Sequence, residues 1–418
     1  MSYFALLEKR HMVSKSKSAP SVITPDQEHA QLKMPHQHWW QHLAHDFPEH
    51  TTHFSLKLKE RLKLGASTVT DLGLRAGIIA ATSALSFPMS IRPDIILRDR
   101  KERQFYCDLA DAGDASQFFI KPNDDIRVRV RKSSRLAHQP KDGQSFLLSF
   151  KSPFQAVNPK LRDDYAKHHK NNIAWAQYWR HDDKPRATIC LIHGFVLDSY
   201  WINSKFFALE WFYNQGYDVL LYTLPFHGYR QGLLSPFSGH GYFSHGPLHM
   251  NEVHAHAVHD FRVFLNWLFK QGTPKAGVTG ISMGGYASAL LACADERLAF
   301  SIPIVPPASL VDMVFEWPVL GHLIRGSLKT VGIPIQEARH TLAVNSPLTW
   351  KPLLNKEHLM IIAGLDDRIT FAKHSKLLWE HWQRPTIHWF AGGHILHWGK
   401  SDYLKAMRKF LENIDFKP

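Results

Sequence analysis

The sequence predicts an α/β protein: a mostly parallel sheet, doubly wound by helices, with a cap region and an N-terminal extension. Three observations predict it. Over some 230 residues toward the C-terminal end, short apolar runs alternate with longer helical stretches, as crossover units require. The first of these runs, Thr188–Ile192 (TICLI), is apolar almost throughout, as a strand buried on both faces must be. The side chains best suited to chemistry follow predicted strand ends, where ligands bind in such sheets.

Composition sets the frame. Of 418 residues, 44% are hydrophobic and 21% charged, which describes a globular chain with ample core material rather than a disordered one. Lys plus Arg number 50 against 37 Asp plus Glu, a net charge of +13 that favours anionic partners. The basic residues are spread along the chain and interleave with no aromatic repeat, so nucleic acid is not expected as a partner. Three widely spaced cysteines, Cys107, Cys190 and Cys293, fit neither a disulfide framework nor a cysteine zinc site. The N-terminal residues lack the apolar stretch of a signal peptide, and no run reaches the length of a membrane span. A cytoplasmic location is the expectation.

Taken in order, residues 1–120 read as a partly helical, peripheral extension, and 121–418 as the main domain. Residues 54–64 (FSLKLKERLKL) alternate basic and apolar side chains; they read first as a surface face and second as a contact with an anionic membrane. Residues 76–87 (AGIIAATSALSF) read as a core helix. Strands are expected over 126–130, where Ile, Arg and Val alternate, and over 145–150 and 174–179. After Thr188–Ile192, helices are expected at 203–215 and 249–269, and strands at 217–222, 277–279, 300–305, 359–363 and 386–390.

The chain is organised around residues 278–285, VTGISMGG. They carry G-x-S-x-G between a β-branched strand end and the Ala/Leu-rich stretch YASALLACA. In a strand–turn–helix context this pattern exposes Ser282 on a tight turn, and a side chain at Gly280 or Gly284 would collide with its neighbours. The amide of Met283 then points to where an oxyanion would form, at a helix start whose dipole helps. A serine hydroxyl needs a base, and the base needs an orienting carboxylate. Downstream, 361–369 (IIAGLDDRI) ends a strand in two aspartates, Asp366 and Asp367, and 390–394 (FAGGH) ends another in His394. The order serine, acid, histidine is that of doubly wound hydrolase sheets.

Over residues 185–415 the chain resembles the alpha/beta-hydrolase superfamily of serine hydrolases. The runs TGISMGG, PFHGYR and GGH, with residues 303–315, are similar to the abhydrolase-domain-containing type 18-like branch. The resemblance implies Ser282 as nucleophile, His394 as base and Asp367 as the acid, since the family's acid stands three residues after the glycine that ends its strand. It implies a second oxyanion donor after the His193-Gly194 pair, the amide of Phe195, with His193 as a prop for that loop. It further implies an intracellular hydrolase of lipid-like or small-molecule esters. A peptidase or amidase, or a non-catalytic binding protein, could use the same fold. The triad and the two amides fill every catalytic role, so no cofactor is expected.

Two stretches remain. Six histidines between His240 and His259 could suggest a metal, but without cysteine partners or an HExxH pattern they read as the wet face of an amphipathic helix. Residues 308–345 fall where this fold places a cap; the apolar stretch 310–333 reads equally as a core helix pair or as a wall for an acyl chain.

Overall fold

The computed structural model describes residues 38–44, 47, 58–81, 93–134, 139–196, 200, 208–397 and 400–418. Among these, nine strands form one sheet: β1 (Arg129–Lys132), β2 (Gly143–Lys151), β3 (Ile173–His181), β4 (Thr188–Ile192), β5 (Asp218–Tyr222), β6 (Ala276–Ile281), β7 (Leu298–Ile304), β8 (Met360–Gly364) and β9 (Thr386–Phe390). The strand order is β1-β2-β3-β5-β4-β6-β7-β8-β9. The leading strands pair antiparallel through the β3–β5 contact, and all later pairs are parallel. The longer helices, with α1, are α1 (Trp39–His42), α2 (Leu58–Ala81), α3 (Pro93–Ala112), α4 (Leu209–Asn214), α5 (Pro247–Lys270), α6 (Met283–Ala294), α7 (Leu310–Phe315), α8 (Pro318–Thr330), α9 (Ile335–Ala343), α10 (Ala372–His381) and α11 (Lys400–Asn413).

Burial on both faces follows from the two-residue period of a strand. Ile189 and Leu191 of β4 face one core, shared with α4 and α11, while Cys190 and Ile192 face the other, shared with α5 and α6. Val219 and Leu221 split from Leu220 and Tyr222 in the same way, as do Met360 and Ile362 from Leu359 and Ile361. The three cysteines are buried and free, and burial pushes the Cys107 thiol up to about 12.

Three expectations need correction. The strand expected over 126–130 begins at Arg129, and its four residues are all exposed. The histidine-rich helix is not wet. His249, His254, His256 and His259 of α5 are buried, because the chain covers the face that was expected to meet water. Tyr106 of α3 donates its hydroxyl hydrogen bond to Glu252, Phe154 stacks on His256 with ring centroids 4.5 Å apart, and Asn251 donates to the Thr341 carbonyl of α9 at 2.9 Å. Nor is the described part of the N-terminal region peripheral: Trp39, Trp40, Tyr106 and Phe118 lie in the main core. The basic run 54–64 falls on residues 54–57, outside the described residues, and on the first turns of α2, whose side chains are likewise outside them.

Candidate active site

β6 ends at Ile281 and α6 begins at Met283, so Ser282 alone makes the turn between them. Its backbone stands at φ 57° and ψ −116°, a region that L-residues occupy only when the surroundings enforce it. The enforcement is visible. The Ser282 amide donates to the Ile304 carbonyl of β7 at 2.9 Å, and its carbonyl accepts from Tyr286 at 2.8 Å. A Cβ at Gly284 would run into the Ile192 carbonyl, and one at Gly280 into the Gly284 carbonyl. Both glycines are therefore required for helix and strand to meet this closely.

The loop after β4 lies against this turn. A methyl placed on Gly194 would stand 3.6 Å from Ser282 Cβ, which brings Phe195 beside the serine. His193 braces the loop: its Nε2 accepts from the Leu224 amide at 3.0 Å, leaving Nδ1 to donate to the Gly194 carbonyl at 2.8 Å. The Phe195 ring packs edge-on against His227 and Phe243.

The structure brings Asp367 and His394 together, with Nδ1 to Oδ2 at 2.7 Å. The rest of the Asp367 carboxylate is also engaged. Oδ1 accepts from the amides of Ile369 at 2.9 Å and Thr370 at 2.8 Å. The Thr370 hydroxyl lies 2.9 Å from both Asp367 Oδ2 and the Val305 carbonyl. Asp366 turns away. It pairs with Arg368 at 2.7 Å and accepts from the Thr68 hydroxyl of α2. Burial by itself disfavours the His394 imidazolium, but the charge and hydrogen bond of Asp367, with the charge of Asp71, outweigh it, so His394 holds its proton more tightly than an ordinary histidine. The next histidine, His397, is neutral in comparison. Burial lowers it to about 4, and its Nε2 lies 3.0 Å from the His394 carbonyl.

Ser282 and His394 both border a cavity of about 860 Å³, within the size range of small-ligand sites. Helices α7, α8 and α9, with Trp317 between the first two, supply its apolar wall, including Leu310, Met313, Phe315, Leu320, Leu328 and Leu342. The Trp317 indole donates to the Ile369 carbonyl at 3.1 Å, fixing this wall to the loop that carries Asp367. Arg103 of α3 and Glu337 of α9 form an ion pair at 2.5 Å on the cavity's border. The stretch 310–333 thus lines the cavity. Among the described residues no group of three or more His, Cys, Asp or Glu side chains could hold a metal ion.

Sequence reasoning missed the contribution of α2 to the site. Its Val69, Thr70 and Gly73 border the cavity, and Asp71, fully buried, accepts from the amides of His394 and Ile395. The available signal was a lone acid within the stretch that leads into the apolar run 76–87.

A doubly wound sheet with a serine on a strained strand–helix turn and a buried Asp–His pair two strands away defines an alpha/beta-hydrolase fold. In agreement, residues 139–316 match the family described as "Alpha/beta hydrolase domain containing 18", the branch that the sequence motifs resemble. The matched span includes Ser282 and Phe195 and ends before Asp367 and His394. An uncharacterized protein of Mycobacterium tuberculosis is 31% identical over 237 residues, 54% of this chain and 53% of the relative. The chain thus spans about half the length of the curated relatives it matches. Among solved structures, an acetyl xylan esterase from Paenibacillus sp. R4 aligns over 75% of this chain and 94% of its own, with a TM-score of 0.51 and 14% identity. Acetyl xylan esterase 1 from Thermoanaerobacterium sp. JW/SL YS485 aligns over 74% and 93%, with a TM-score of 0.51 and 16% identity. At these identities the likeness is one of fold. Among the described residues no helix is long and apolar enough to cross a membrane.

Proposed function

We propose that the protein is a serine hydrolase that cleaves carboxylic esters, with an apolar acyl group seated in the cavity and acyl lipids as the substrate class. One observation carries the reading: Ser282 and His394 border one apolar cavity, and His394 Nδ1 is tied to a buried carboxylate.

The chemistry follows from the groups present. Ser282 Oγ attacks the ester carbonyl carbon as its proton passes to His394 Nε2. Asp367 accepts from Nδ1–H, which fixes the tautomer with a free lone pair on Nε2 and favours the imidazolium that forms. The carbonyl oxygen becomes an oxyanion, met by the amides of Met283 and Phe195. The tetrahedral intermediate collapses, the C–O bond to the alcohol breaks, and the alcohol leaves with the proton from Nε2. Water then repeats the sequence on the acyl-serine, releasing the acid and restoring Ser282.

The test is fluorophosphonate labelling together with a series of p-nitrophenyl esters from acetyl to decanoyl, with matched anilides as the amide arm. Each methylene buried in an apolar site contributes about 0.8 kcal/mol, so kcat/KM should climb about three- to fourfold per carbon until the cavity is filled. A wild type that neither labels at Ser282 nor cleaves any ester removes the reading. Faster turnover of the anilides would move it to an amidase.

We further propose weak peripheral contact with anionic membranes, motivated by the net charge of +13 and the basic run 54–64. Each basic residue near such a surface contributes about 1 kcal/mol, and high salt screens the attraction. Vesicles containing anionic lipid should pellet the protein at low ionic strength and release it at high. Equal pelleting by a variant carrying Lys57→Gln, Lys59→Gln, Arg61→Gln and Lys63→Gln would assign the contact elsewhere.

A further inference from the structure

We propose that Asp71 of α2 is a positioning residue of the active site, holding the loop that carries His394 in register with the loop that carries Asp367. The proposal rests on the serine-hydrolase reading.

Asp71 lies far from both loops in sequence, yet its carboxylate bridges them. Oδ2 accepts from the His394 amide at 2.5 Å and from the Arg368 amide at 3.3 Å, while Oδ1 accepts from the Ile395 amide at 3.1 Å. Arg368 directly follows Asp367. One oxygen therefore gathers the backbone of the acid loop and the backbone of the base itself, and the side chains of these two loops meet at 2.7 Å. Neighbouring positions of α2 attend to the same loops. Thr68 donates to Asp366, Ser67 to the Leu396 carbonyl at 3.4 Å, and Arg75 to the Arg368 carbonyl at 2.8 Å.

The glycine directly before the histidine has its explanation here. A Cβ on Gly393 would collide with the Asp71 carboxylate, so glycine is needed for the carboxylate to reach the His394 amide.

Docking alone does not account for this arrangement. α2 leaves Val69 72% and Leu72 41% exposed while burying Asp71 fully, although burying a charge costs more than burying an aliphatic side chain. Burial raises the Asp71 carboxyl, the His394 amide opposes that rise, and the Asp367 charge adds to it. A second carboxylate beside Asp367 is therefore an unfavourable partner for the acid. It is a favourable one for the imidazolium of His394, whose proton affinity it increases.

Two roles separate in experiment. In Asp71→Asn the amide cannot accept from three N–H groups at once, because its NH2 end faces one or more of them. Misplacement of a catalytic group by about an ångström costs up to about a hundredfold. A positioning role predicts a 10- to 100-fold lower kcat on a short ester, with KM changed by less than about threefold because the cavity wall stays in place. It also predicts that the acid limb of the kcat/KM profile moves to lower pH, since a charge favouring the imidazolium is gone. NMR titration of the His394 ring, in a Ser282→Ala background with and without Asp71→Asn, reads that shift without turnover. Should Asp71→Asn fail to fold, Asp71→Ser removes the charge with less bulk and carries the same measurements. A folded variant with wild-type kcat and an unmoved His394 titration overturns the proposal. So does a loss of activity that merely follows a fall in Tm, with the titration unchanged. If the wild type cleaves no ester and takes no probe while the His394 titration still shifts, the hydrolase reading falls and the positioning of His394 by Asp71 stands.

Discussion

Ser282→Ala is expected to lower ester hydrolysis by up to about six orders of magnitude, the scale on which loss of a triad nucleophile acts, and to abolish fluorophosphonate labelling. The protein should remain folded. Alanine keeps the Cβ that already fits the turn, and the hydrogen bonds that define the turn run through the Ser282 backbone, to Ile304 and from Tyr286. The strain of the positive φ is common to both residues, so it cancels in the comparison. Hydrolysis of p-nitrophenyl butyrate and the thermal melt of the purified variant check both halves. Retained turnover at an unchanged melting temperature would remove Ser282 from the mechanism.

The second large effect is expected at Asp367. Replacement by Asn should lower kcat by about three to four orders of magnitude, and the surrounding hydrogen bonds say why. The amides of Ile369 and Thr370 both point at Oδ1, so an asparagine would set its carbonyl oxygen there. Its NH2 would then occupy the Oδ2 position and donate toward His394 Nδ1. That forces the proton onto Nε2 and leaves no lone pair to accept from Ser282. Residual activity should show an acid limb displaced to lower pH, because Asp367 raises the proton affinity of His394. Asp366→Asn should cost less than about tenfold, since that carboxylate serves Arg368 and Thr68. Steady-state kinetics on both folded variants decides, and the opposite ranking would transfer the orienting role to Asp366.

What could be read from the sequence depended on how local each constraint is. β4 runs over the same residues as its apolar run, because the alternation of side chains between two cores is written within five positions. The tight turn at Ser282 is equally local, since Gly280 and Gly284 must accommodate carbonyls of the turn itself and of the neighbouring strand end. The histidine helix shows the opposite case. Amphipathic spacing distinguishes two faces but does not reveal that α3, the segment around Phe154 and α9 would cover the polar one. Asp71 lay further out of reach. Its partners are backbone amides, which every residue but proline carries, so no pairing of side-chain types pointed from it to residues 368, 394 and 395.

The hydrogen bond between Asp71 and His394 joins positions 323 apart in the chain. Contacts of such separation are entropically costly to close and form late, after local helices and neighbouring strands have gained their own stability. The turn at Ser282 needs only β4, β6, β7 and α6 around it, whereas His394 is held in place by an early helix and by Asp367, 85 residues beyond the serine. If His394 is the base proposed above, a chain emerging from synthesis would present Ser282 well before it could deprotonate it. On the proposed serine-hydrolase reading, reactivity would be the last property acquired, and the enzyme would be kept from attacking esters while its apolar cavity is still unformed.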